Sequence, residues 1–210
     1  VLELLLERRH PLSIITKGAL ILRDLDLLRA LAERQLVSVF ISSTSPDEAL
    51  KRTLEPRAAS PQARLRVVRE LTSAGVPVGV MMAPVIPALT DHEIEHLLAA
   101  AAAAGARRAA FLMLRLPFEV ASLFEHWLRE HYPERADRVL NHLREMRGGR
   151  LNDPRFGHRL RGEGAYAAMI AARFAGACRR LGLNQEVAPK LETQQFLRDP
   201  GAPLQGGLFD

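Results

Sequence analysis

The chain has 210 residues, 48% of them hydrophobic, a formal net charge of +5 and one cysteine, which suits one apolar core with a smaller appendage. No apolar run approaches the ~20 uncharged residues of a membrane span; the longest bland run, Leu97 to Ala104, reads as a packed alanine-rich helix. One cysteine excludes an intrachain disulfide and no basic-then-apolar leader opens the chain, so the sequence reads as a soluble, cytoplasmic protein.

From Leu12 to Leu116 one design repeats: a short apolar strand, a polar or proline-bearing turn, then an amphipathic helix. Val1 to Arg9 reads as the last turns of a helix whose beginning is not present, so a fragment is expected. Leu12 to Thr16 is a strand that ends at Lys17-Gly18, and Leu22 to Arg34 has leucines at helical spacing. Val37 to Ile41 is the next strand, ending on Ser42 and Ser43. Ser45-Pro46-Asp47-Glu48 then supplies an N-cap, a first-turn proline and a capping-box acid. Glu55-Pro56 breaks that helix, and Ser60-Pro61 starts another, with Leu65, Val68 and Leu71 on one face before Gly75. Val76 to Met82 is a third strand. Its continuation Ala83-Pro84-Val85-Ile86-Pro87 reads as a shaped strand-to-helix connection, because proline lacks the N–H a central ladder needs. Thr90 to Ala104 is a helix and Ala109 to Leu114 a fourth strand, ending at Arg115-Leu116-Pro117. Alternating strands and helices imply a parallel sheet whose C-terminal strand ends face one ligand site.

Lys17, Ser42, Ser43, Thr44 and Arg115 all follow strands, where α/β proteins place groups for polar or anionic ligands; the same residues also serve as turn caps. His92-Glu93-Ile94-Glu95-His96 fits the H-E-x-x-H zinc pattern of a hydrolase, with Glu119 or Glu125 as third ligand. Against it, Thr90 and Glu93 read as a capping box, and burial of Ile94, Leu97 and Leu98 leaves both histidines at the edge of the apolar face or in solvent.

Ile15-Thr16-Lys17, Ile41-Ser42, Leu54-Glu55-Pro56 with Arg64-Leu65, Ala74-Gly75-Val76-Pro77-Val78, and Ala83-Pro84-Val85-Ile86-Pro87 with Asp91-His92-Glu93 form a set. In these residues the chain resembles the radical S-adenosylmethionine (SAM) superfamily, in its spore photoproduct lyase-like, DNA repair photolyase-type branch. The resemblance implies residues 1–117 as the later part of a (β/α)6, TIM-like partial barrel, with a helical arginine-rich extension over 118–190 and an extended tail over 191–210. It implies that SAM lies across the strand ends against a [4Fe–4S] cluster, giving a 5′-deoxyadenosyl radical in the intact parent, with repair or modification of nucleic acid as the use expected for it. By position, Lys17 meets the methionyl carboxylate, Ser42, with Ser43 beside it, hydrogen-bonds the same moiety or the ribose, and Arg64 adds a bidentate carboxylate contact or is a surface arginine. Val85 and Met113 or Leu114 flank the adenine, or pack in the core. Glu55 orients Arg64 or ends its helix. The family's C-x-x-x-C-x-x-C cluster loop has no counterpart; its ligands are expected ahead of Val1, and this chain alone is expected to be inactive. Cys178 reads as a small core residue.

Beyond Pro117, Phe118 to Glu130, Arg135 to Arg147 and Tyr166 to Arg180 read as helices, with a glycine-interrupted, arginine-rich connector over Arg150 to Gly164. From Arg129 to Arg180, twelve Arg face six Asp and Glu, a net charge of +6 that would attract phosphate backbones or belong to ordinary solvated helices. A non-catalytic nucleic-acid or protein-binding module is the rival reading. Gln205, Leu208 and Phe209 resemble the Q-x-x-L-F peptides that dock on the DNA sliding clamp, or pack on the chain itself.

Overall fold

The computed structural model describes residues 1–155, 158–185 and 190–197. Four strands, β1 (Leu12–Thr16), β2 (Val37–Ser43), β3 (Val78–Val85) and β4 (Arg108–Met113), form a wholly parallel sheet in the order β1-β2-β3-β4. No barrel closure is present among the described residues; the sheet is open at β1 and β4. A short helix α1 (Leu2–Glu7) precedes β1. A 3-10 turn (Leu20–Asp24) leads into α2 (Leu25–Glu33), so the single helix expected from Leu22 is split in two. Two helices, α3 (Glu48–Leu54) and α4 (Pro61–Ser73), join β2 to β3, and α5 (Ile94–Ala103) joins β3 to β4.

Strand alternation sorts the sheet into two faces. Ile41 and Val80 are buried against Val68 of α4 and Leu97 of α5, and they form one core with Leu28, Leu31, Leu71 and Leu98, all at 0% exposure. On the other face the Phe40 ring lies against the backbone of Gly79, where a Cβ would come within 2.6 Å of it. Arg108 sits over that ring at 4.9 Å and donates to Ser38 Oγ at 3.2 Å, while Ile15 is 58% exposed. This face of the open sheet is left partly uncovered.

Two local expectations are corrected. The α3 N-cap is Asp47, which accepts from Ala49 N at 2.7 Å; Ser45 instead accepts from Asp47 N at 2.9 Å, within the turn that precedes the helix. The third strand runs on to Val85: a register shift between Met82 and Val85 takes Pro84 out of the regular ladder, and Leu114 N then donates to Val85 O at 2.9 Å. Ser60 caps α4 as expected, accepting from Ala63 N at 3.1 Å.

The extension supplies α6 (Val120–His131), α7 (Pro133–Glu145) and α8 (Gly164–Arg180). Helix α8 packs on α5, and Arg173 grips Glu95 through Nε and Nη2 at 3.0 and 2.7 Å. Further on, Glu192 N donates to Gln35 O and Leu197 N to Arg8 O, both at 2.9 Å, which brings residues 192–197 back beside α1 and α2. Gln205, Leu208 and Phe209 lie outside the described residues.

Candidate functional site

The C-terminal ends of β1, β2 and β3 hold a compact charged network. Lys17 leaves β1 with its side chain one-third exposed and meets Glu55 Oε1 and, at 3.3 Å, Thr44 Oγ1. Glu55 stands at the C-cap of α3, where the Glu55-Pro56 break turns it back toward the sheet. Thr44 donates to Glu55 Oε1 at 2.7 Å. Arg64 approaches from the first turn of α4 and donates through Nη2 to Glu55 Oε2 at 2.7 Å. Its other donors go to Ala59 O at 3.0 Å and Ser42 O at 3.2 Å. The loop is closed by Ala59 N, which donates to Lys17 O at 3.2 Å.

Burial alone pushes the Glu55 carboxyl up, but hydrogen bonds from Lys17, Arg64 and Thr44 together hold it below the ordinary range. Two cations against one carboxylate leave a single unbalanced positive charge at the strand ends. Arg64 is 3% exposed with each of its donor nitrogens on a protein partner, so within this network Lys17 is the cation that presents charge to a ligand. Arg64 is thus not a surface arginine: it is the buried support of Glu55, and Glu55 both ends its helix and holds Arg64.

The remaining predicted residues divide. The Ser42 hydroxyl, buried at 4% exposure, donates to Ala83 O at 3.3 Å and keeps lone pairs for a ligand donor; Thr44 Oγ1, whose proton goes to Glu55, lies 3.1 Å from the same carbonyl. Ser43 points to the opposite, helix-covered face beside Ile41 and Leu65. Val85 and Met113 are core residues at 0% and 2% exposure. Arg115, half-buried, follows β4.

The HEIEH segment is not one helical face. His92 lies in a 3-10 turn (Asp91–Glu93) and α5 begins only at Ile94. The expected Thr90–Glu93 capping box is absent, because Thr90 Oγ1 accepts from Ile86 N at 2.9 Å. His92 is exposed, Glu95 is engaged by Arg173, and no group of three metal-type ligands occurs among the described residues. The Glu93 carboxyl is pushed up by burial, and its Oε2 has no hydrogen-bond partner among the described residues.

Sequence reasoning missed the link between this end of the sheet and α8. Tyr166 donates to Asp91 Oδ2 at 2.6 Å and accepts from Ala88 N at 3.1 Å; burial and Asp91 push its phenol up to about 12. These partners lie 75 and 78 residues away in the chain, and no local spacing signals them.

Comparison with known proteins gives this geometry a family. Residues 1–101 match the family model described as Radical SAM superfamily. This part of the chain belongs to the radical SAM superfamily. An uncharacterised protein of Mycobacterium tuberculosis is 36% identical over 202 residues, covering 95% of this chain and 54% of its own length. One from Methanocaldococcus jannaschii is 28% identical over 137 residues, 65% of this chain and 49% of that protein. The chain thus spans about half the length of these curated relatives. A solved structure, a cysteine-to-serine mutant of spore photoproduct lyase, is similar with a TM-score of 0.48 and 19% identity, covering 81% of this chain and 47% of that one.

Radical SAM proteins generally bind SAM and a [4Fe–4S] cluster, and the residues present fit the two groups differently. The carboxylate of SAM suits the uncompensated charge at Lys17, and a neutral hydroxyl with spare lone pairs, Ser42, suits its ammonium. The cluster does not fit this chain's residues. Its sole cysteine, Cys178, is buried in α8 beside Asn184, and burial pushes the thiol up, away from the thiolate that iron requires.

Proposed function

We propose that this chain is the SAM-binding portion of a radical SAM enzyme that acts on nucleic acid. The observation that carries the reading is Lys17, held at the strand ends by a buried Glu55–Arg64 pair and left with one unbalanced positive charge. Lys17 binds the methionyl carboxylate; Ser42 accepts from the ammonium; Arg64 and Glu55 orient the lysine and never touch the ligand. When bound, SAM supplies a 5′-deoxyadenosyl group for hydrogen abstraction.

The nucleic-acid part rests on the connector after α7, whose Arg150, Arg155, Arg159 and Arg161 lie beyond the end of β4; Leu160 O accepts from Met113 N at 2.9 Å. Exposed arginines there attract phosphates. Gln205, Leu208 and Phe209 would add docking on the sliding clamp, which a peptide of the last ten residues tests by direct binding.

Calorimetry with S-adenosylhomocysteine tests the cofactor reading. One-to-one binding that weakens about tenfold or more in Lys17→Ala supports it; equal affinity in that variant ends it. For the nucleic-acid reading, oligonucleotide affinity should fall steeply between low and moderate salt. An absence of binding at low salt removes that part alone.

A further inference from the structure

The outer edge of β4 is closed at both ends and open in the middle. Neighbouring strand residues point their main-chain groups to opposite sides, so Ala109, Phe111 and Met113 all face outward from the sheet. Asn184 uses its carboxamide as a strand would: Ala109 N donates to Oδ1 and Nδ2 donates to Ala109 O, both at 2.9 Å. Met113 N donates to Leu160 O. Between them the N–H and C=O of Phe111 have no partner among the described residues.

They border a groove of about 540 Å³ between β4 and α8, lined by Ala110, Phe111, Ala168, Ala171 and Phe174, with Arg161 at its rim. The small alanine side chains of α8 form a flat shelf. Arg161 is exposed and its guanidinium has no partner among the described residues. Glu163, also at the rim, is engaged by Arg155 at 3.1 Å and His158 at 2.5 Å, which leaves Arg161 as the rim's cation without a partner among the described residues.

We propose that this groove binds one nucleotide, its base paired edge-on to Phe111 and its phosphate held by Arg161. A nucleobase carries a hydrogen-bond donor beside an acceptor on one rigid edge, the same pattern the Asn184 carboxamide offers two residues away. It is also planar, so one face rests on the Ala168–Ala171 shelf while its edge completes the ladder. An apolar ligand would leave the Phe111 groups unpaired, and a neutral one would leave Arg161 unused. The groove is separate from Lys17 and does not rest on cofactor binding; it rests on the proposed nucleic-acid substrate only for where the nucleotide comes from.

The test uses the full chain and fluorescent single-stranded oligonucleotides, one series with bases and a matched abasic series. The strand with bases should bind about tenfold more tightly than the abasic strand. Ala168→Trp, which fills the groove from an exposed helix position, should abolish that preference and leave abasic binding unchanged; Ala171→Leu, which fills the shelf where the base rests, should abolish it too. Arg161→Ala should weaken both series. Competition by adenosine monophosphate at similar concentration identifies a free nucleotide as the ligand, and its failure to compete identifies a strand; either supports the groove. A base preference that survives both groove variants, or no preference in the wild type, overturns the proposal. So does loss of S-adenosylhomocysteine binding in Ala168→Trp, which would assign the groove to the cofactor. Unchanged S-adenosylhomocysteine binding alongside a lost base preference separates this inference from the cofactor reading.

Discussion

Arg64 at the strand ends and Arg147 in the extension are both 3% exposed, yet they are buried on different terms. Arg64 faces a carboxylate, Glu55, at 2.7 Å. Arg147 donates to carbonyls among the described residues, Arg159 O at 3.0 Å and Leu114 O at 2.5 Å, and burial pushes its guanidinium down. The first arrangement fixes a charge so that a third group, Lys17, can be aimed. The second staples a connector to the end of β4 and aims nothing. A buried arginine marks a site only where its charge is compensated on one side and handed on at the other.

Breaking each arginine should expose that difference. Arg64→Met leaves Glu55 with Lys17 and Thr44 alone and takes the donor from Ser42 O and Ala59 O, and should cost about 2–3 kcal/mol in denaturant unfolding. Glu55→Gln added to it should cost less than Glu55→Gln alone, because the two variants break the same pair. Asn184→Ala removes both edge bonds to Ala109 and should cost about 2 kcal/mol. Arg147→Met also frees carbonyls but breaks no ion pair, and should cost only about 1 kcal/mol. A loss for Arg147→Met equal to that for Arg64→Met would remove the distinction.

Acid sharpens the comparison most gently. Glu55 has a folded value below its ordinary 4.5, so its stabilisation is present above that pH and is lost as pH falls through the lower folded value. Asp153 in the connector, held at about 2 by Arg155, behaves alike, losing its contribution between its ordinary 3.8 and about 2. Unfolding midpoints measured from about pH 6 down to about pH 2 should drop in wild type, with a shallower drop in Glu55→Gln.

The alternation of strands and helices was legible because apolar period and turn chemistry are local: β1 matched residue for residue, and Ser60-Pro61 opened α4 as expected. Lys17 and Ser42 were legible as strand-end positions. Less so were the roles of Arg64 and Glu55, since a helical arginine reads alike whether it meets solvent, ligand or a carboxylate nine residues back. The capping box failed for a related reason. Thr90 had a competing donor in the preceding proline-bounded turn, Ile86 N, which spacing alone does not reveal. Pairings such as Tyr166 with Asp91 and Asn184 with Ala109 arise from tertiary packing and leave no mark on neighbouring residues.

The central claim is that Lys17 recognises a carboxylate. The most direct measurement compares the affinity of S-adenosylhomocysteine with that of its decarboxylated counterpart in wild type and in Lys17→Met. Wild type should prefer the carboxylated ligand by about tenfold or more, and Lys17→Met should bind the two alike. An undiminished preference in Lys17→Met would contradict the account.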